Sequence, residues 1–213
     1  METKLLILGK GDNIITMILD NLYSINKRTA DIHIYNNLDL PILNTFYHDE
    51  FDIKVFTKLN LDDYEQIVLG VYQPQHKINI IKLLKPNKDR FINVIHSGLD
   101  ISKMSSLGNG VLINSKVSIA AHTHIGDFVS INRNVSIGHH TIIGDYCSIN
   151  PGCNVAGNVT IGEGTTIGMG TNILHQVKIG KNSIIGAGSV VTKDIPDNVI
   201  AYGSPCKVIR ENV

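Results

Sequence analysis

An aliphatic residue recurs at every sixth position through the second half of the chain. From Ile95 to Val191, each sixth residue is isoleucine, leucine or valine, and from Val111 onward the residue two positions earlier is small or β-branched. Glycine often follows the aliphatic residue, as in IGDFVS, IGHHTI and IGDYCS. A six-residue period is typical of a parallel β-helix, whereas an amphipathic helix would need apolar residues at a period of about 3.6.

A longer period of 18 residues indicates that three hexads form one triangular coil. Residues 18 apart then stack at the strand spacing of about 4.8 Å. We expect about five coils. The longer period is carried by a series of glycines, namely Gly108, Gly126, Gly144, Gly162 and Gly180.

The first 92 residues follow a β-α-β pattern and predict a small parallel sheet. The domain boundary falls between Lys88 and Ser97, so we expect one domain over 1–92 and a second over 93–213. The predicted strands are Lys4–Gly9, Asp31–Tyr35, Asp52–Phe56, Gln66–Val71 and Phe91–Ile95, and the predicted helices are Asn13–Ile25 and Lys77–Leu84.

Composition narrows the classes of function. The chain has 19 Lys+Arg and 19 Asp+Glu residues, and zero net charge argues against nucleic acid or an anionic membrane as a partner. No apolar run approaches the roughly 20 residues that span a bilayer. The three cysteines, Cys147, Cys153 and Cys206, form no CxxC pair, which suits free thiols in a reducing cytoplasm.

Histidines concentrate on one face of the predicted prism, namely His122, His124, His139, His140 and His175. When the hexads are aligned, Ala121, His139, Gly157 and His175 form one row, and His122 and His140 fall in the next. Histidine is the natural general base near neutral pH. A histidine at a coil corner can equally be an ordinary surface residue.

Two stretches resemble a known family. GHHTIIGDYCSINPGCNVAGNVTIGEGTTIGMG and the later IGAGSVVTKDIPDNVIAYGSPCKVI are similar to the bacterial hexapeptide-repeat sugar O-/N-acyltransferases. The resemblance extends over essentially the whole chain. It implies an N-terminal Rossmann-like domain that binds a nucleotide-sugar, a left-handed parallel β-helix, and a homotrimer with active sites between subunits.

The same resemblance implies roles for individual residues. The general base would be His139, and the backbone N–H of Gly157 would stabilise the oxyanion. The family usually has an acidic residue where this chain has His140. Contacts with acetyl-CoA fall on Ser148, Met169 and Ala187, and no metal ion is implied. Contacts with the nucleotide-sugar fall on Gly11, Asp12, Asn13, Asn36, Asn37 and Gly70.

The resulting hypothesis is an acetyl-CoA-dependent N-acetyltransferase that modifies a nucleotide-linked amino-deoxysugar for surface polysaccharide or glycan biosynthesis. Asn13 stands where the family usually has histidine, and Asn36 and Asn37 where it has acidic residues, so the resemblance specifies the reaction more closely than the nucleotide. An O-acetyltransferase of the sialic acid type is the nearest alternative. A γ-carbonic-anhydrase-like zinc hydratase is an alternative of another class. It would combine His139 and His175, which are 36 residues apart, with a third histidine where this chain has Gly180.

Overall fold

The computed structural model of the protein describes residues 4–9, 12–25, 31–35 and 51–212. Its N-terminal part is a parallel sheet with helices on both faces, in the strand order β3-β2-β1-β4. This order places β1 between β2 and β4 and matches the predicted Rossmann-like arrangement. The strands are β1 (Lys4–Leu8), β2 (Asp31–Tyr35), β3 (Asp52–Phe56) and β4 (Gln66–Leu69), and the helices are α1 (Asp12–Ser24) and α2 (Pro74–Leu84).

Two predicted bounds in this part differ from the structure by three residues, whereas the bounds of β1, β4 and α1 differ by only one or two. Helix α2 begins at Pro74 instead of Lys77, because proline is well accommodated in the first turn of a helix. The predicted strand over 91–95 is shorter: Phe91 forms only an isolated bridge with Ile67, and the strand proper begins at Val94.

The second part is a parallel β-helix of two-residue strands, as the six-residue period predicts. Its predicted left-handed winding stays a prediction. A hairpin of two longer strands, β22 (Val199–Gly203) and β23 (Cys206–Glu211), follows the coils. The coil strands are β5 (Val94–Ile95), β6 (Asp100–Ile101), β7 (Ser106–Leu107), β8 (Leu112–Ile113), β9 (Ser118–Ile119), β10 (His124–Ile125), β11 (Ser130–Ile131), β12 (Ser136–Ile137), β13 (Ile142–Ile143), β14 (Ser148–Ile149), β15 (Asn154–Val155), β16 (Thr160–Ile161), β17 (Thr166–Ile167), β18 (Asn172–Ile173), β19 (Lys178–Ile179), β20 (Ile184–Ile185) and β21 (Val190–Val191).

These strands form the three faces of a prism. Face 1 contains β5, β8, β11, β14, β17, β20 and the hairpin; face 2 contains β6, β9, β12, β15, β18 and β21; face 3 contains β7, β10, β13, β16 and β19. Ile195 adds a sixth rung to face 3 by pairing with Ile179. The predicted number of about five coils was therefore slightly too low. The prism has close to six, because hexads outside the Gly108–Gly180 series also wind into coils.

The interior of the prism is filled by the aliphatic residues of the hexads. Ile131, Ile149 and Ile167 are among many that are completely buried. Polar residues two positions earlier also point inward and satisfy corner carbonyls: the Thr165 hydroxyl donates to Gly180 O at 2.7 Å. The Cys147 thiol does the same for Gly162 O, and burial raises its pKa to about 12, so this cysteine is a core residue.

The N-terminal part docks on face 1. One apolar cluster joins α1 to Val94 and Leu112, and another joins the opposite side of the sheet to Phe91 and Phe128. Both clusters contain residues from each side of position 92, and the division of the chain there stays a prediction. Neither helix of the described part of the chain has the length and apolar character that a bilayer crossing requires.

Candidate functional site

His139 and His140 lie at the corner between faces 2 and 3, in the turn that follows β12. Thr141, the next residue, is completely buried and bonds Ala156 O through its hydroxyl. His140 has a φ of +57°, and its N–H donates to Ala121 O at 3.1 Å. This turn leaves both imidazoles exposed on the outside of the prism.

The imidazole of His139 occupies the space above Gly157, one coil further along. A Cβ atom added to Gly157 would lie 2.7 Å from both Cε1 and Nε2 of His139. Because Gly157 has no side chain, the backbone leaves space beside the ring at this position. In the structure the ring itself fills that space, so a side chain at position 157 would displace it.

Other imidazoles surround His139. Its Nδ1 lies 3.1 Å from Nδ1 of His140, which is hydrogen-bond distance, and the two rings are nearly perpendicular. His122 packs against His140 from the neighbouring coil, with ring centroids 4.8 Å apart and the ring planes tilted by 36°. His175 lies on the other side, 6.4 Å from His139 between centroids. The predicted rows of histidines are thus brought together.

The amide of Gly157 is available beside this cluster. The Gly157 carbonyl accepts a hydrogen bond from Gln176 N, whereas its N–H has no acceptor among the described residues. Such an amide can stabilise a developing oxyanion. Its predicted role in this reaction remains a prediction.

The three residues predicted to contact acetyl-CoA do not lie together. Met169 and Ala187 are neighbours in successive coils at the corner between faces 1 and 2, both exposed. Their N–H groups have no acceptor within the described residues. Ser148 is instead completely buried beneath α2, and its hydroxyl donates to Tyr72 O at 2.6 Å. The prediction for Ser148 is wrong for this structure, because no cofactor can reach the side chain.

Most of the residues predicted to bind the nucleotide-sugar fall outside what the structure describes. This applies to Gly11, Asn36 and Asn37 entirely, and to the side chains of Asp12 and Asn13, which begin α1. Gly70 is described and lies where β1 and β4 end. Its N–H donates to Leu8 O at 2.7 Å, and a Cβ there would lie 2.5 Å from Gly9 O. The close approach of the Gly9 backbone therefore requires glycine at position 70, whether or not this residue contacts a ligand.

The carboxyl ends of the parallel strands form one edge of the sheet, where both helices begin. A groove of about 560 Å³ opens at this edge, between the start of α2 and face 1. Gln73 and Gln75 line one side, and Thr166 and Asn182 line the other. Crevices outside the carboxyl ends of parallel strands are the usual ligand sites of such sheets.

A buried lysine that the sequence interpretation missed connects the two parts of the chain. Lys77 is only 1% exposed, although lysine is rarely buried completely. Its Nζ atom lies within hydrogen-bond distance of four oxygen atoms of the β-helix: Phe128 O, Ser130 Oγ, Cys147 O and Ser148 Oγ. The sequence contained an indication of this burial: Lys77 lies three, four and seven positions before Ile80, Ile81 and Leu84, which is the spacing of one apolar helix face.

Residues 122–157 and 158–193 each match the family model of the bacterial transferase hexapeptide, six repeats. This confirms the predicted resemblance over the repeats. A search of curated protein sequences gave no significant match. Within the described ranges, no three or more His, Cys, Asp or Glu side chains are grouped so that they could hold a metal ion.

Solved structures share the fold along the whole chain. A perosamine N-acetyltransferase variant from Caulobacter crescentus, with one histidine replaced by asparagine and in complex with CoA and GDP-perosamine, has a TM-score of 0.80 and 23% identity, covering 97% of each chain. The acetyltransferase domain of PglB from Neisseria gonorrhoeae, in complex with acetyl coenzyme A, has a TM-score of 0.84 and 21% identity, covering 98% of this chain and 100% of that one. WeeI from Acinetobacter baumannii has a TM-score of 0.78 and 21% identity, covering 97% and 100%.

Proposed function

We propose that this protein, a hexapeptide-repeat β-helix with an N-terminal parallel sheet, transfers the acetyl group of acetyl-CoA to the amine of a nucleotide-linked amino-deoxysugar. The observation that carries the proposal is the exposed imidazole of His139, seated over Gly157 and hydrogen-bonded through Nδ1. The shared fold with a perosamine N-acetyltransferase and with the acetyltransferase domain of PglB supports the reaction type.

His139 acts as the general base in this proposal. Its Nε2 removes a proton from the sugar amine as the nitrogen attacks the thioester carbonyl, and the Gly157 N–H donates to the oxyanion. The carbon–sulfur bond then breaks, and the proton held by His139 passes to the departing thiolate of CoA. No enzyme nucleophile is required, which agrees with the burial of Cys147 and Cys153 in the core.

The cofactor arm and the nucleotide-sugar are assigned to two other places on the chain. The N–H groups of Met169 and Ala187, which have no acceptor in the described part of the chain, suit the amide carbonyls of a pantetheine arm. The groove at the carboxyl edge of the sheet, with its amide and hydroxyl side chains, suits the nucleotide-sugar. The contacts that the sequence predicts for the nucleotide-sugar remain Gly11, Asp12, Asn13, Asn36, Asn37 and Gly70.

A second copy of the chain is needed to bring these places together. The N-terminal sheet docks on face 1, whereas His139 lies at the corner between faces 2 and 3, the edge opposite face 1. A substrate held by one chain therefore meets His139 of a neighbour. A cyclic homotrimer satisfies this requirement with three equivalent sites.

The assembly is tested by sedimentation equilibrium at micromolar concentration. Three copies of the 23.4 kDa chain give a particle of about 70 kDa. A single 23.4 kDa species that still transfers acetyl groups would contradict the shared site.

The reaction is tested with acetyl-CoA and a panel of nucleotide-linked sugars, by measuring thiol release and the mass of the product. We expect turnover with substrates that carry a free amine, and none with matched sugars that carry a hydroxyl at that carbon. The reverse preference would favour the O-acetyltransferase alternative. Absence of thiol release with either set, in protein that is folded and trimeric, would contradict the proposal.

A further inference from the structure

We propose that His140, held by its ring contact with His122, is the positioning residue for His139 and takes the place of a carboxylate. This inference rests on the proposed function, because it assigns the group that orients the base. It goes further in naming an imidazole pair as the orienting group and a definite proton position on His139. The two imidazoles are called the His122–His140 pair below.

The Nδ1–Nδ1 hydrogen bond determines which nitrogen of His139 can act as a base. Two imidazole nitrogens 3.1 Å apart need one proton between them, since two lone pairs would repel. If His139 donates, its Nδ1 carries the proton and its Nε2 keeps a lone pair for the amine. If His140 donates, Nε2 of His139 carries the proton and the base is lost. The proposal therefore assigns the donor role to His139 and the acceptor role to His140.

The His122–His140 pair explains why His140 holds its orientation on an exposed corner. The backbone of His140 is in the left-handed region and is bonded to Ala121 O. Its ring lies at 36° to the ring of His122, at a centroid distance of 4.8 Å, which is a favourable aromatic contact. The titratable groups in ring contact with the pair and with His139 are imidazoles, with His175 on the far side of His139.

A neutral acceptor orients His139 as a carboxylate would, but it stabilises the imidazolium less. A nearby anion favours the protonated form of an imidazole, whereas a neutral partner does not. The His122–His140 pair therefore supplies geometry without adding negative charge to the site. Replacing His140 with aspartate should keep the acceptor and add that charge.

The chain itself shows which substitutions at position 140 the fold accepts. Phe128 and Tyr146 occupy the equivalent turn position in other corners, with φ values of +58° and +61°. His140→Phe thus keeps an aromatic ring that can pack against His122 and removes both ring nitrogens, including the acceptor Nδ1. His124, an exposed histidine bonded to Ser106, provides a matched control outside the cluster.

The first measurement reads the proton position without any substrate. In protein labelled with ¹⁵N in the histidine rings, long-range ¹H–¹⁵N spectra identify the neutral tautomer of each imidazole, and His139→Ala assigns the signal of His139. We expect the Nδ1–H tautomer for His139 in the wild type and in His124→Ala, and its loss in His140→Phe. An Nε2–H tautomer in the wild type, or no change in His140→Phe, would overturn the proposal.

The second measurement is the kinetic one. His140→Phe should lower kcat about 10–100-fold with little change in KM for acetyl-CoA, as loss of an orienting partner typically does. His140→Asp should recover much of that loss and move the acidic limb of the kcat/KM profile to higher pH. Wild-type kcat in His140→Phe would overturn the positioning role. If the wild type has the assigned tautomer but transfers no acetyl group, the proposed function fails and the positioning inference survives.

Discussion

Replacing His139 with alanine is expected to lower kcat for acetyl transfer by about 10²–10⁴-fold, the usual contribution of a positioned general base. This corresponds to about 3–5 kcal/mol in the activation barrier. The KM for acetyl-CoA should change little, because the proposed cofactor contacts are backbone groups of Met169 and Ala187 at a different corner. Steady-state kinetics with the best sugar from the substrate panel measures both constants.

Gly157→Ala provides a matched variant in which His139 itself is intact. The new Cβ would lie 2.7 Å from two ring atoms, and the φ of Gly157 is outside the left-handed region, so the displaced ring is the main consequence. We expect a loss of kcat that approaches that of His139→Ala, while His124→Ala stays at the wild-type rate. Wild-type kcat in both His139→Ala and Gly157→Ala would remove His139 from the mechanism.

Lys77→Ala is expected to lower the free energy of unfolding by about 3–5 kcal/mol, the largest stability effect predicted here. The substitution leaves a cavity where a large buried side chain was, and it removes the donor to the carbonyls of Phe128 and Cys147. Urea denaturation followed by circular dichroism measures the loss. Lys82→Ala, on the exposed side of the same helix, is the control and should lie within about 0.5 kcal/mol of the wild type.

The contribution of Lys77 should also depend on pH. Burial lowers its pKa to about 7 from the ordinary value of 10.5. Between these values the folded protein has released the proton and the unfolded chain still holds it, so the stability difference between wild type and Lys77→Met should increase in favour of the wild type as pH rises. The full change is on the order of 5 kcal/mol. A difference that is the same at pH 6.5 and pH 9.5 would show that Lys77 does not titrate in this range.

Much of the β-helix and of the His139 cluster was predictable because both depend on a strict period. A residue in one hexad lies above the residue 18 positions earlier, so the approach of His139, Gly157 and His175 follows from counting. The pairing of strands 18 residues apart is confirmed along each face, as in Ser130 with Ser148. The coil number was underestimated because the glycine series marks only part of the repeat.

The six-residue period carries no information on how the N-terminal part docks on the β-helix, and the sequence alone did not decide it. The N-terminal part contacts face 1 through residues that are more than 50 positions apart in the sequence, such as Lys77 of α2 with Ser130. No local pattern specifies such a pair. Ser148 has the repeat position of a surface residue, and only docking of α2 above it makes it inaccessible. Periodic stacking is a local consequence of strand geometry, so the sequence determined the β-helix and its row of histidines. Docking depends on the complementarity of two separately formed surfaces, so the tertiary structure alone decided that Lys77 is buried and that His139 lies opposite the N-terminal sheet of its own chain.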